Sequence, residues 1–309
     1  VGIICRQIAG VGGIAANNAS GMCCGTAQNS YHTLAGMRMV LADGTLLDTR
    51  DTHSVEAFRK IHVQLLKRLE KLAARVRDDQ ELAQRIRHKF RLKNTTGYSL
   101  NALVDFDDPI DILQHLMIGS EGTLGFIAEI NYKTVHEHPH KTTSLVFFPD
   151  VNTACLAVQA LQKEPVTAVE LIDRAGLSSV AGKPGMPAGL DELPETAAAL
   201  LVDVREATPE RLAASVAQVS KTLDQFERLQ PQVFTNNAED YQRLWNVRKG
   251  LFPAVGAVRE TGTTVIIEDV AFPLESLAEG TLKLQALFKK YHYDEALIFG
   301  HALAGNLHF

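Results

Sequence analysis

The sequence predicts an α+β protein of two domains, and three observations carry that prediction. Apolar residues recur at helical spacing over a long stretch that begins near residue 54. Shorter apolar runs bounded by Gly, Pro or Asp read as strands. In the second half, strands and helices alternate in an order that suits a split βαβ sheet with helices packed against it. A chain of 309 residues has room for about two domains of ordinary size.

Taken in order, the first 36 residues are rich in Gly, Ala, Asn and Ser, and VGGIAANNASG (Val11 to Gly21) fits neither a regular helix nor a regular strand. MRMVLADGTLL (Met37 to Leu47) reads as a β-hairpin that turns at Asp43-Gly44. With Ser54 as N-cap, Val55, Phe58, Ile61, Leu65, Leu69, Leu72 and Val76 mark one helix, and Leu82, Ile86 and Phe90 mark a second. KNTTGYSL breaks the helical pattern at Gly97, and IGSEGTLGFIAEINYKTV (Ile118 to Val135) gives a Gly-rich loop that runs into a strand. The Pro-bearing HEHPHK segment divides the chain near residue 138, into 1–138 and 139–309. The second part predicts strands at Ser144 to Phe148, Val166 to Asp173, Ala197 to Val204, Thr263 to Phe272 and Glu295 to Gly300. Helices fall between them at Val151 to Leu161, Pro209 to about Arg228, Tyr241 to Lys249 and Leu274 to Tyr291, with a short one after Asp173, giving a ferredoxin-like sheet with its helices on one face.

Charge and composition exclude several functions. With 31 Lys plus Arg against 36 Asp plus Glu, the net charge of −5 provides no cationic field for nucleic acid. Residues 53–93 carry a local charge of +7, which reads as a solvated helix face. No apolar run is long enough for a membrane span. Four irregularly spaced cysteines (Cys5, Cys23, Cys24, Cys155) build neither a disulfide framework nor a cluster, which suits a reducing compartment and a cytoplasmic protein. The non-Met start and the apolar end suggest a piece of a longer protein.

Chemistry concentrates in a few segments. Gly12-Gly13, Asn17-Asn18 and Ser20-Gly21 form a stretch whose backbone N–H groups and short side chains suit a phosphate or the edge of a heterocycle; a buried irregular turn accounts for them equally well. It is not the G-x-G-x-x-G fingerprint of a dinucleotide fold. The segment GSEGTLG (Gly119, Glu121, Gly122, Gly125) has the same character, and two such loops in one domain favour a large cofactor. His301 and His308 bracket Gly305-Asn306 after a strand and can converge as metal ligands, or stand as unrelated histidines. Arg248, beside Trp245, is either a fork for a carboxylate or a surface residue. Strand alternation lets at most one of Glu268 and Asp269 point inward. The vicinal Cys23-Cys24 is a redox pair, a flavin attachment point or, more simply, two small buried thiols.

GGIAANNASG, VLADGTLL, KNTTGYSL, GSEGTLGFIAEI and the closing GHALAGNLHF, in this order and spacing, resemble the FAD-linked oxidases of the vanillyl-alcohol oxidase type. Within that family the chain is similar to the branch of D-lactate, glycolate and D-2-hydroxyglutarate dehydrogenases, and especially to large bacterial members that append an iron-sulfur module. The resemblance implies that residues 1–138 are the second subdomain of an FAD-binding domain and that 139–309 are most of a ferredoxin-like substrate (cap) domain. It implies FAD as cofactor, lined by Gly12, Gly13, Asn17, Asn18, Ser20, Gly21, Gly119, Glu121, Gly122 and Gly125. It further implies a D-2-hydroxy acid substrate gripped by Arg248 and oxidised to the 2-oxo acid, with hydride passing to flavin N5. His301 and His308 would act in catalysis through a divalent metal, zinc first, whose third ligand lies outside this chain. An iron-sulfur cluster would sit only in a further part of the protein.

The chain departs from the family's G-H-x-G-D-G-N-L-H segment at Leu303-Ala304, where the family has Gly-Asp. Ile267 stands where some hydroxyglutarate enzymes carry a substrate-binding Lys, which leaves the diacid open. Electrons would leave to a quinone or an electron-transfer protein, and peripheral contact with a membrane and a homo-oligomeric state stay open. Oxidation of another alcohol, kinship with alkyl-glycerone-phosphate synthase, and a non-catalytic scaffold are the alternatives at this point.

Overall fold

The computed structural model describes residues 10–19, 21, 25–94, 97–258, 261–262 and 267–309. The chain divides into two compact units, Val1–His136 and Glu137–Phe309.

In the first unit, α1 (Val11–Asn17) and α2 (Ser30–Thr33) precede β1 (Leu34–Val40) and β2 (Leu46–Asp48), which form the hairpin expected around Asp43-Gly44. Three helices follow: α3 (Thr52–Ile61), α4 (Val63–Asp78) and α5 (Gln80–Lys89). After α6 (Ala102–Asp105) and α7 (Pro109–Met117), β3 (Phe126–Tyr132) returns to pair with β1, so the small sheet runs β2-β1-β3.

Three local readings change. The Gly-rich segment from Val11 is helical through Asn17 despite its two glycines, with Ile14 and Ala15 buried, and Asn18 ends it in the left-handed conformation (φ 57°). The first long helix is capped by Asp51, whose side chain accepts from His53 N, and not by Ser54, whose hydroxyl accepts from Asp48 N. Helix α7 was not legible as a surface helix because eight of its nine residues are buried, the polar Gln114 and His115 among them, and only Asp111 is partly exposed. It fills the centre of a core with Met37, Met39, Leu47 and Phe58.

In the second unit, β4 (His140–Phe148), α8 (Val151–Leu161), β5 (Ala168–Ile172), α9 (Arg174–Val180), β6 (Ala198–Glu206) and α10 (Pro209–Leu223) follow the predicted order. They continue with α11 (Ala238–Val258), β7 (Asp269–Ala271), α12 (Leu277–Tyr291), β8 (Phe299–His301) and β9 (Asn306–His308). The strand expected over 263–272 is short: Asp269–Ala271 is paired, while 263–266 lie outside the described residues. Strand β9, which the sequence reading left in the terminal turn, completes a six-stranded antiparallel sheet in the order β4-β6-β5-β8-β9-β7.

Pleat alternation sorts this sheet into two chemically different faces. Val146, Phe148, Val169, Leu171, Ala198, Leu200, Val202, Val204 and Leu307 point one way and form a core with residues of α8, α10 and α12. The opposite face is also covered by helices. Gly176 of α9 lies against Ile172 and Leu251, and Arg248 of α11 reaches Glu170. That second face carries the polar residues.

Candidate functional site

Directly opposed residues of an antiparallel pair share a face. Glu170 opposes His301, His301 opposes Asn306, Phe299 opposes His308, and His308 opposes Asp269. The register therefore lines Glu170, His301, Asn306, Phe299, His308 and Asp269 along one face, and Asp203 lies on the same face of β6. His301 and His308 meet because β8 and β9 are joined by a very short reversal. Ala302–Ala304 make a single 3₁₀ turn, and Gly305 closes it at φ 63° with its Cα so near Phe272 that an added Cβ would stand 1.9 Å from the Phe272 carbonyl oxygen. The ring centres of the two histidines are 5.1 Å apart.

Each imidazole is held by a carboxylate. His301 Nδ1 lies 2.8 Å from Glu170 Oε1, and His308 Nδ1 is bonded to Asp269 Oδ1. An ionised carboxylate only accepts, so both Nδ1 atoms carry a proton. This is the arrangement in which a carboxylate orients a metal-binding imidazole. Two imidazoles on one tetrahedral ion stand about 5 Å apart between ring centres, given metal-to-nitrogen bonds of about 2.1 Å. The pair thus fits a metal as two of its ligands. Among the described residues no group of three or more His, Cys, Asp or Glu forms a fuller set.

Arg248 approaches the same carboxylate from α11. Its Nε donates to Glu170 Oε2 at 2.6 Å, its guanidinium lies 4.4 Å from the centre of the Phe299 ring, and it is buried. The surface reading of Arg248 is therefore wrong. Burial by itself would raise the Glu170 pKa, but the adjoining His301 and Arg248 outweigh it and hold the carboxyl below its usual range. Helix α11 presents Tyr241, Trp245 and Arg248 at helical spacing, and Tyr241 Oη donates to the buried Asp203 at 2.8 Å. Two charged anchors thus fix this helix on the sheet. Burial raises Asp203, opposed mainly by the nearby Arg205. Two buried polar atoms here lack a hydrogen-bond partner among the described residues: Asn306 Oδ1 on the sheet face and Trp245 Nε1 one turn from Arg248. Asn306 Oδ1 can accept one more hydrogen bond there and Trp245 Nε1 can donate one.

Glu170 was the residue that sequence reasoning missed. A lone carboxylate inside the apolar run AVELI was the available signal. For the pair Glu268 and Asp269, the structure assigns the partner of His308 to Asp269.

In the first unit the two Gly-rich segments join. Gly119 N and Glu121 N donate to the carbonyls of Ala15 and Ala16, and Asn17 Nδ2 donates to Glu121 Oε1 at 2.7 Å. Asn18 Nδ2 reaches the Asn94 carbonyl, while its buried Oδ1 has no partner among the described residues. A Cβ on Gly12, Gly119 or Gly125 would stand 2.7–2.8 Å from the carbonyl oxygen of Ile127, Gly97 or Val40, so these three glycines serve close packing of the loops on the main chain behind them. Gly13 and Gly122 face open space, and they are the positions where a bound group could approach the main chain. The loops fit part of a flavin cradle on that ground. Gly21 is described without these contacts, whereas Ser20 and the vicinal Cys23-Cys24 lie outside the described residues. Cys155 is buried against Thr281, and burial pushes its thiol up to about 11, so it is an unreactive core residue.

Comparison with known proteins decides the family. Residues 137–309 match the model of the FAD linked oxidases, C-terminal domain, which is more than half of the chain. The chain belongs to the FAD-linked oxidases. Residues 4–50 of this FAD-linked oxidase match an FAD binding domain. It is 25% identical over 224 residues to the D-2-hydroxyglutarate dehydrogenase of Stutzerimonas stutzeri, covering 72% of this chain and 44% of that protein. The protein of the same name from Haemophilus influenzae is 25% identical over 326 residues, covering 96% and 30%. The mitochondrial D-lactate dehydrogenase [cytochrome] of Arabidopsis thaliana is 29% identical over 201 residues, covering 63% and 33%. The chain spans less than half the length of each of these curated relatives. Among solved structures, alkyldihydroxyacetonephosphate synthase shares the fold, with a TM-score of 0.56 at 14% identity over 96% of this chain and 50% of that one. No helix among the described residues is long and apolar enough to cross a membrane.

Proposed function

We propose that this FAD-linked oxidase, in the full-length protein, oxidises a D-2-hydroxy acid of the D-2-hydroxyglutarate or D-lactate class to the 2-oxo acid. The observation that carries the reading is the sheet face on which Glu170 holds both the buried Arg248 and His301, with His308 held beside them by Asp269. The names of the relatives support the substrate class.

When bound, FAD supplies the two-electron acceptor and a divalent ion supplies Lewis acidity toward the substrate hydroxyl. The residues of this chain do the rest. Arg248 uses its Nε edge on Glu170, so the Nη edge of the fork is the part that takes the substrate carboxylate. His301 and His308 would hold the metal, with zinc the first choice for an imidazole set completed by a ligand beyond this chain. The buried position of Arg248 and Glu170 keeps bulk water from competing for the fork. In the first unit, Gly13 and Gly122 admit the cofactor to the main chain, and Asn17 fixes the Glu121 carboxylate by donating to it. Gly12, Gly119 and Gly125 shape the cradle from behind.

The test is turnover of the full-length protein on a panel of D-2-hydroxyglutarate, D-lactate and glycolate before and after chelation. Activity that falls on chelation and returns with zinc, manganese or cobalt is expected. Turnover indifferent to the chelator would remove the metal from the reading, and no turnover on the panel would remove the substrate class.

A further inference from the structure

Glu170 is the group that both halves of the site touch. It is 0% exposed, and its two oxygens have different partners: Oε2 accepts from Arg248 Nε at 2.6 Å, and Oε1 lies 2.8 Å from His301 Nδ1. Its neighbours on the same face of the strand, Ala168 and Ile172, are buried aliphatics, so the strand itself calls for another aliphatic side chain there. A carboxylate there carries a desolvation cost that only good pairing offsets. What the carboxylate adds over a leucine is directional: two fixed acceptors at the centre of the face.

Each acceptor determines something that packing alone leaves loose. His301 stands directly across the ladder from Glu170, so Oε1 sets which imidazole nitrogen is protonated and how the ring is turned. Arg248 comes from α11 above the sheet, and Oε2 on its Nε edge, together with the Phe299 ring 4.4 Å away, defines the plane of the guanidinium. We infer that Glu170 is a positioning residue for the whole site, one rigid carboxylate that aims the Arg248 fork with one oxygen and the His301 imidazole with the other. The inference rests on the proposed roles of Arg248 and His301. Glu170 touches neither substrate nor metal in this scheme, and it couples the two sites through groups that do.

The experiment uses the full-length protein loaded with FAD and stripped of metal by chelation. Zinc binding is measured by calorimetry, and binding of the 2-oxo acids 2-oxoglutarate and pyruvate is followed separately by the flavin spectrum. Glu170→Gln keeps the shape and removes the charge, so a purely structural role would leave both affinities unmoved. The expected result is a drop in zinc affinity of about 10–100-fold, the usual size for loss of a partner behind a metal ligand, and a weaker 2-oxo acid complex in the metal-free protein. Glu170→Asp is the second variant, for the case that Gln folds poorly. It retains the charge, but one methylene less prevents it from reaching both partners, so at least one of the two affinities falls. Variants that match the wild type within twofold for both ligands would overturn the inference. If the wild type holds the 2-oxo acid and takes up no metal, the metal reading fails and the Arg248 arm alone decides Glu170. A wild type that binds neither ligand overturns the proposed function, and the inference with it.

Discussion

At the Gly-rich loops of the first unit, the contacts that build the candidate site run mostly from main chain to main chain. Gly119 N and Glu121 N donate to the carbonyls of Ala15 and Ala16, and Gly12, Gly119 and Gly125 let the loops close on the carbonyls of Ile127, Gly97 and Val40. On the sheet face of the second unit, the contacts run from side chain to side chain: Glu170 to Arg248 and His301, Asp269 to His308, Asp203 to Tyr241. The first site is sensitive to added volume, and the second to removed charge. The two regions thus fail in different ways, and substitutions can separate them.

The largest effect is expected at Arg248. Arg248→Ala strands Glu170 in the sheet interior, where breaking a buried pair costs about 3–5 kcal/mol. Stability by denaturant titration falls by that order, and kcat/KM on 2-hydroxy acids falls with it in whatever protein still folds. Unchanged kinetics in a folded variant would contradict the fork. Next comes Gly305→Ala, which forces an L side chain into the left-handed region and onto the Phe272 carbonyl. A loss of about 3 kcal/mol is expected from backbone strain and overlap together, read as a lower Tm, with weaker metal binding because the two histidines separate.

The loops give a matched pair of smaller effects. Gly12→Ala drives a Cβ to 2.7 Å from the Ile127 carbonyl and is expected to cost about 1–3 kcal/mol. Gly13→Ala, in the same helix but facing open space, leaves stability equal or raises it by up to about 1 kcal/mol through helix propensity. It should nevertheless weaken flavin retention, since its new methyl group occupies the cofactor side. Equal flavin retention by Gly13→Ala and wild type would move the cradle elsewhere.

A pH effect belongs to the second unit. Asp173 is buried, caps α9 by accepting from Gly176 N, and is pushed by burial up to about 7, well above the ordinary carboxylate value of about 3.8. The native state therefore holds this proton where the unfolded state has released it. Stability contributed by the group is complete below about pH 4 and is lost as pH rises toward 7, with a slope of up to about 1.4 kcal/mol per pH unit. Asp173→Asn, which can still cap α9, should flatten that slope in melts recorded from pH 4 to 7.

How much of this could be read from the sequence follows from the same contrast. The loops were legible as segments because small residues and Gly pairs mark them directly, yet which glycines face a ligand was not. Gly12 and Gly13 look alike until the Ile127 carbonyl is placed behind one of them. His301, His308 and Arg248 were legible as candidates, but their partners were not. Glu170 and His301 are 131 positions apart, and only the β5 to β8 register brings them together. Helix α7 escaped because its polar Gln114 and His115 are buried with its apolar residues, which blurs the period that reveals a helix. The cap of α3 was misplaced by three residues because Asp51 and Ser54 are both good cap residues.

The most direct test of the central claim is anaerobic reduction of the flavin in the full-length protein on mixing with D-2-hydroxyglutarate or D-lactate. Loss of the oxidised flavin's visible absorbance with one of these acids, absent in Arg248→Ala and slowed by removal of the metal, is the predicted result. A flavin that remains oxidised with every D-2-hydroxy acid tried, or one that bleaches equally well without Arg248, would contradict the account.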